Sequence, residues 1–189
     1  PSVHVALALG SAMTWRDDQD CLVPTLDAWG ESSHPNVFIA GDGAGIAGAI
    51  AAGLRGQIAA LGIAIKRGKL TPEAAVKAAL PLRQKLEREL AIRPFLDALF
   101  RPRDSVFTPH DETVVCRCEE ITAREIRNMA RIGSPGPNQV KAFTRAGMGP
   151  CQGCQCGYTV TRILAAAEGR SPEEVGFYHI RPPLKPVTL

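Results

Sequence analysis

The sequence predicts an α/β segment followed by a mostly α-helical domain that holds a metal, and three observations carry that expectation. An apolar run, Asn36-Val37-Phe38-Ile39-Ala40, leads into a glycine cluster and then an alanine-rich stretch, in the order strand, turn, helix. Helix start and stop signals crowd the second half of the chain. Five of the six cysteines, Cys116, Cys118, Cys151, Cys154 and Cys156, lie within 41 residues.

Composition narrows the classes. A chain of 189 residues that is 45% hydrophobic has room for a core. The net charge is +3 and the basic residues are scattered, so nucleic-acid binding is not indicated. Five clustered thiols suit a reduced, metal-holding role in the cytoplasm better than a disulfide framework. The apolar runs fall short of the roughly 18 residues that span a bilayer, so no membrane span is expected. The chain begins with Pro1, which reads as a fragment or a processed product.

Region 1–67 comes first. Cys21-Leu22-Val23-Pro24-Thr25-Leu26 reads as an edge strand, because Pro24 has no N–H for a ladder. Strand 36–40 and the cluster Gly41, Gly43, Gly45 and Gly48 follow, with a helix from 46 to about 67. Region 68–110 reads as a helical linker. Thr71-Pro72-Glu73 starts a helix with a hydroxyl cap, a first-turn proline and an acid at the positive end. Pro81 should break or offset it. Leu82, Leu86 and Leu90 should bury one stripe.

Region 111–169 opens with a strand, Val114-Val115 into Cys116. Thr122-Ala123-Arg124-Glu125 is a capping box, and its helix should stop near Gly133. Ser134-Pro135-Gly136-Pro137 reads as a loop. Asn138 is the expected cap of a short helix closed by Gly147. A cysteine-rich loop leads to a helix over 157–168, stopped by Gly169. Segment 170–189 reads as a tail, with a second capping box at Ser171-Pro172-Glu173-Glu174 and an extended proline stretch from Arg181 to Pro186.

The cysteines follow the pattern Cys116-x-Cys118, then Cys151-x-x-Cys154-x-Cys156. Four sulfurs meet only if the intervening helices fold back. Gly147, Gly149, Gly153 and Gly157 let backbone amides approach sulfur, as an iron–sulfur cluster needs. Helix starts at Thr122 and after Cys156 aim positive ends at the loops. Zinc is the rival, but Cys-x-Cys is tighter than the usual Cys-x₂₋₄-Cys knuckle.

These residues also carry a family likeness. Val115-Cys116-Arg117-Cys118-Glu119-Glu120-Ile121-Thr122 and Lys141-Ala142-Phe143-Thr144-Arg145-Ala146-Gly147-Met148-Gly149-Pro150-Cys151-Gln152-Gly153 resemble the [2Fe-2S] domain of the bacterioferritin-associated ferredoxin type. More narrowly, they resemble the version in opine oxidase flavoproteins, hydrogen cyanide synthase flavoproteins and hydroxyproline dehydrogenases. Residues 181–186 are similar to that group as well. The small ferredoxins imply Cys151 and Cys154 as the second ligand pair, whereas the opine oxidase-like pattern implies Cys151 and Cys156 and inclines the choice to Cys156.

Gly43-Ala44-Gly45-Ile46-Ala47-Gly48 matches GxGxxG literally. No acid and no clear next strand follow about 20 residues on, so it is not read as the opening of a dinucleotide fold. Residues 36–45 instead resemble the second flavin motif of flavoproteins with two dinucleotide domains. That resemblance implies Gly41, Asp42, Gly43 and Gly45 at a partial FAD site, with Asp42 toward the ribityl chain. Pro24, Asp27, Ala28, Trp29 and Gly30 also match the opine oxidase-like group. The full expectation is an α/β remnant of an FAD-binding domain followed by a mostly α-helical [2Fe-2S]-binding domain.

No nucleophilic constellation is evident, and no catalytic residue is assigned. His4, His34, His110 and His179 read as surface or packing residues, and Cys21 as a small buried hydrophobe. Arg117, Arg124, Lys141 and Arg145 surround the cluster loops, as tuning charges or as ordinary solvated side chains. The resemblance implies an electron-transfer subunit of an FAD- and [2Fe-2S]-containing oxidoreductase acting on an amino acid or an opine-like secondary amine. Its partners would be a companion flavoprotein subunit and an electron acceptor, and this piece would be inactive alone. The alternative is a non-catalytic ferredoxin-like or zinc-binding assembly module.

Overall fold

The computed structural model describes residues 2–133 and 136–184. The chain divides into two compact units, Pro1–Arg101 and Pro102–Leu189.

In the first unit a short helix α1 (His4–Ala8) precedes an antiparallel hairpin, β1 (Met13–Arg16) and β2 (Cys21–Pro24). Pro24 ends its strand opposite Met13, where a missing N–H costs least. Residues 36–40 do not form the expected strand. Their pairing is one bridge, Phe38 to Glu31, flanked by two hydrogen bonds of 2.8 Å, from the Ile39 amide to the Gly30 carbonyl and from the Ser32 amide to the Val37 carbonyl. A strand needs a ladder on at least one side, and this segment meets only a turn. The turn is built by Asp27, whose Oδ1 accepts from the Trp29 and Glu31 amides at 2.8 Å each.

Gly41–Ala44 forms a 3-10 turn, and α2 (Ala49–Lys66) starts after Gly48, three residues later than expected. Helix α3 (Pro72–Leu90) packs along α2. Thr71 caps it through its side chain, which accepts from the Ala74 amide. Pro81 does not break α3. It sits on the exposed side of the helix, so the carbonyl that loses its N–H partner is open to water. Ala75 and Ala79 are buried, and Leu82, Leu86 and Leu90 continue their stripe as half-buried residues. Segment 68–110 is therefore no free bridge: α3 and α4 (Arg93–Leu99) belong to the first unit, and α5 (Asp104–Phe107) to the second.

Helix α2 corrects the membrane expectation in one respect. Its 18 residues, with mean hydropathy 1.3, are long and apolar enough to cross a bilayer by length and composition. It buries Ala51, Leu54, Ile58, Ala59 and Gly62 inside its unit. Gly62 is required by a close approach, since a Cβ there would stand 2.7 Å from Trp29 Cβ.

The second unit is built on α6 (Ala123–Arg131), α7 (Pro137–Thr144) and α8 (Gly157–Glu168), which pack on one another. A small hairpin, β3 (Val114–Cys116) and β4 (Ile121–Thr122), carries the first cysteines. The capping box at Thr122 forms in full, and that at Ser171 opens α9 (Pro172–Val175). Gly169 closes α8 in the left-handed conformation. Ile126, Val140, Val160, Ile163, Leu164 and Tyr178 are at most 2% exposed, so the region expected as a tail supplies part of this core. Ser134 and Pro135 of the expected loop, and residues 185–189, lie outside the described residues.

Candidate metal centre

Cys116 ends β3 at 1% exposure, and Cys118 follows in the hairpin turn. The 147–151 loop lies directly against that turn. A Cβ on Gly149 would fall 2.2 Å from Cys118 Cβ, so only glycine permits the approach. Arg145, left-handed at φ 66, closes α7, and its Nε donates to Glu119 Oε2 at 2.8 Å, tying helix end to cysteine turn.

All six cysteines are thiols. Around the loop four of them interact in two pairs, Cys118 with Cys151 and Cys116 with Cys156. Among the described residues no three His, Cys, Asp or Glu side chains gather around a single point for one metal ion. The choice left open between Cys154 and Cys156 has a geometric basis here. Turn hydrogen bonds, Cys154 N–H to Cys151 O at 3.1 Å and Gly157 N–H to Gly153 O at 2.9 Å, already wind the chain helically. Side chains two apart on such a turn diverge. Cys154 is accordingly exposed, while Cys156 is 1% exposed and at the N-cap of α8, where the positive helix end lies.

Backbone amides converge on the sulfurs. The Gly147 N–H donates to Cys116 Sγ at 3.4 Å. The Cys151 amide serves Cys118, and those of Gln155, Gly153 and Cys154 serve Cys151. Burial opposes ionisation of Cys151, but these amides and the Cys118 thiol outweigh it and hold its pKa below the ordinary thiol value. Cys118 moves upward: the Cys151 amide favours the thiolate, but the Cys151 thiol, burial and neighbouring sulfur charge prevail. Cys156 is pushed up to about 12, by burial first and then by the charge of Cys116, with the Tyr178 hydroxyl pulling it down. Four sulfurs in two interacting pairs, answered by amides, are a donor set that suits a two-iron cluster. Its metal ions would supply the positive charge that buried thiolates lack.

Residues 177–180 complete the wall. Tyr178 is 2% exposed and lies against Gly147 and Gly153, where an added Cβ would meet its ring at 2.8 and 2.7 Å. Its burial, and then the charge of Cys156, push its phenol pKa upward. Phe177 presses on Gly157 in the same way, at 2.3 Å. Asn138 does not cap α7. Pro137 takes the first turn after Gly136, and the Asn138 side chain instead accepts from the His179 amide, 2.7 Å, and donates to the Phe177 carbonyl, 3.4 Å. Sequence reasoning missed Tyr178 and Phe177. Glycines clustered around cysteines were the available signal that something large closes on the loop.

Of the residues read as possible tuning charges, Arg124 pairs with Glu112 and Asp111, Lys141 lies 5.7 Å from the Tyr178 ring centroid, and Arg117 is exposed. His4 is buried; His34, His110 and His179 are exposed. Cys21 is buried at 3%, and burial raises its thiol pKa.

Gly41, Asp42 and Gly43 lie on the 3-10 turn of the first unit and Gly45 caps its end, with Asp42 exposed. Gly41 and Gly45 take φ +70 and +105, which disfavour any side chain. Arg55 from α2 donates to the Gly45 carbonyl at 2.8 Å and fixes the turn. Pro24, Asp27, Ala28, Trp29 and Gly30 line a neighbouring cavity of about 330 Å³.

Residues 114–166, which lie in the second unit, match the BFD-like [2Fe-2S] binding domain. The whole chain resembles longer redox proteins. It is 47% identical over 190 residues to an opine oxidase subunit of Rhizobium meliloti, covering all of this chain and 36% of that protein. It is 38% identical over 189 residues to hydrogen cyanide synthase subunit HcnB of Pseudomonas protegens, covering 99% of this chain and 39% of that one. The chain thus spans less than half the length of these curated relatives. L-proline dehydrogenase from P. horikoshii shares its fold over 95% of this chain and 34% of that one, with TM-score 0.74 and 20% identity.

Proposed function

We propose that this chain is part of an electron-transfer subunit of an oxidoreductase, and that Cys116, Cys118, Cys151 and Cys156 hold its [2Fe-2S] cluster. The observation that carries the reading is the pairing of those thiols under converging amides, inside a stretch that matches a [2Fe-2S] binding domain. When bound, the cluster supplies a one-electron relay. The protein's part is to hold the four sulfurs, to donate amide hydrogen bonds to them and to keep Cys116 and Cys156 from water.

The first unit is read as part of an FAD-binding domain, with Asp42 and the turn of Gly41, Gly43 and Gly45 at one edge of the flavin site. Residues outside this chain would complete it. The relatives are named as subunits of an opine oxidase and a hydrogen cyanide synthase. Those names support a companion flavoprotein subunit that oxidises an amino acid or an opine-like secondary amine and passes electrons to this one. We place the protein in the cytoplasm, where thiols stay reduced, and expect this piece alone to be inactive.

The test is metal and sulfide analysis of anaerobically prepared protein, with single serine variants. The reading expects about two irons and two sulfides per chain, loss of both in Cys116→Ser, Cys118→Ser, Cys151→Ser and Cys156→Ser, and retention in Cys154→Ser. Stoichiometric zinc without sulfide, or retention in Cys156→Ser with loss in Cys154→Ser, would overturn it. In the full-length protein, Asp42→Ala should lower FAD occupancy, and unchanged occupancy would remove Asp42 from the site.

A further inference from the structure

Among the described residues, Tyr178 is the large polar side chain built into the wall of the cysteine loop. It comes from outside the stretch that matches the [2Fe-2S] domain, which ends at 166. Its hydroxyl lies 3.9 Å from Cys156 Sγ, within reach of an atom as large as sulfur. At 2% exposure it has almost no water to turn to. Its placement is enforced from three sides. Gly147 at φ +87 and Gly153 at φ +78 present bare backbone to the ring. Phe177 packs edge-on against Tyr178, with ring centroids 5.6 Å apart, and is itself wedged against Gly157. Asn138 then clamps the backbone on both sides, at Phe177 and His179. A phenylalanine would fill the same space. The hydroxyl therefore serves something other than packing, and Cys156 is the group it meets.

We propose that Tyr178 sets the reduction potential at this centre by donating its O–H to the sulfur of Cys156, with Gly147 and Gly153 providing the slot that brings it there. The proposal rests on the reading of Cys156 as a ligand. Reduction by one electron adds negative charge to the ligand sulfurs. A donor aimed at one of them stabilises the reduced form more than the oxidised form, so it raises the potential. No covalent bond is made or broken, and the phenol keeps its proton throughout. Tyr178 is thus a positioning and tuning residue, reached from a part of the chain that a cysteine pattern does not include.

The experiment uses the full chain with its cluster, reduced stepwise by dithionite against mediator dyes and followed by electron paramagnetic resonance. Iron and sulfide are assayed on the same samples. Tyr178→Phe should keep both at wild-type levels and make reduction about tenfold less favourable, a shift of about 59 mV to lower potential for one electron. Full occupancy with an unchanged or higher potential would overturn the role of Tyr178 and leave the ligand reading standing. Absence of iron and sulfide from the wild-type protein would overturn both. If Tyr178→Phe does not fold, 3-fluorotyrosine placed at 178 decides instead. Its phenol is a stronger donor of nearly the same volume, so the potential should rise, and no rise would overturn the proposal.

Discussion

The two units close their interiors differently. The second buries large side chains, with Ile126, Val140, Val160 and Leu164 at 0% exposure and Tyr178 at 2%. In the first, the contact of α2 with α3 is sealed by Ala51, Ala75 and Ala79, while Ile50, Val76, Leu80, Phe95, Leu99 and Phe100 are more than half exposed. The second unit thus gathers its large buried side chains around the cysteine loop, although Ile132 and Phe143 stay exposed at 69% and 70%. The first presents apolar faces of the kind that mark contact with other protein. Interiors sealed so differently, by large side chains in one unit and by alanines between α2 and α3 in the other, should respond differently to mutation. The probes are already separated: Trp15 and Trp29 report on the first unit, Tyr158 and Tyr178 on the second.

The largest contrast should come from core truncation. Ile126→Ala should cost the second unit about 2–5 kcal/mol. Val76→Ala, at a position 58% exposed, should stay within about 0.5 kcal/mol. Chemical denaturation followed by tyrosine near-ultraviolet circular dichroism and tryptophan fluorescence separates the two. Equal losses in both signals would show that the units unfold as one and would erase the contrast.

Glycine replacement should split in sign. Gly153→Ala places a Cβ 2.7 Å from the Tyr178 ring at φ +78 and should destabilise the second unit by about 1–3 kcal/mol. Gly53→Ala lies inside α2 with open space around it and should stabilise the first unit by about 0.5–1 kcal/mol. Two losses, read as thermal midpoints of the same two signals, would contradict the packing described.

Smaller still is the capping box. Thr122→Ala should cost about 1 kcal/mol. The Thr122 amide and then its hydroxyl hold the Glu125 carboxyl below its ordinary 4.5. The stabilisation is therefore complete above that ordinary value and is lost as pH falls through the lowered one. Carbon-detected titration of Glu125 should show the depressed value in wild type and a partial return toward 4.5 in the variant, which keeps the amide and loses only the hydroxyl; an unmoved value would deny the hydroxyl its share in the box.

The smallest stability effect belongs to α4. Phe95→Ser, at 63% exposure, should change stability by no more than about 0.5 kcal/mol, read by chemical denaturation. A large stability loss would mean that this face is covered within the chain.

What the sequence determined by itself is whatever neighbours in the chain decide. The Thr122 and Ser171 boxes, the Thr71 cap, the stop at Gly169 and the two cysteine groups were legible because caps and loop ligands act over three to five residues. The tertiary structure decided the rest. A strand depends on a partner that its own residues do not name, so 36–40 became a bridge and a turn. Pro81 was tolerated because its side of α3 faces water. The divergence of Cys154 from Cys156, and the arrival of Tyr178 at Cys156, depend on where a helix begins and on a packing contact 22 residues away in sequence, which spacing alone does not encode.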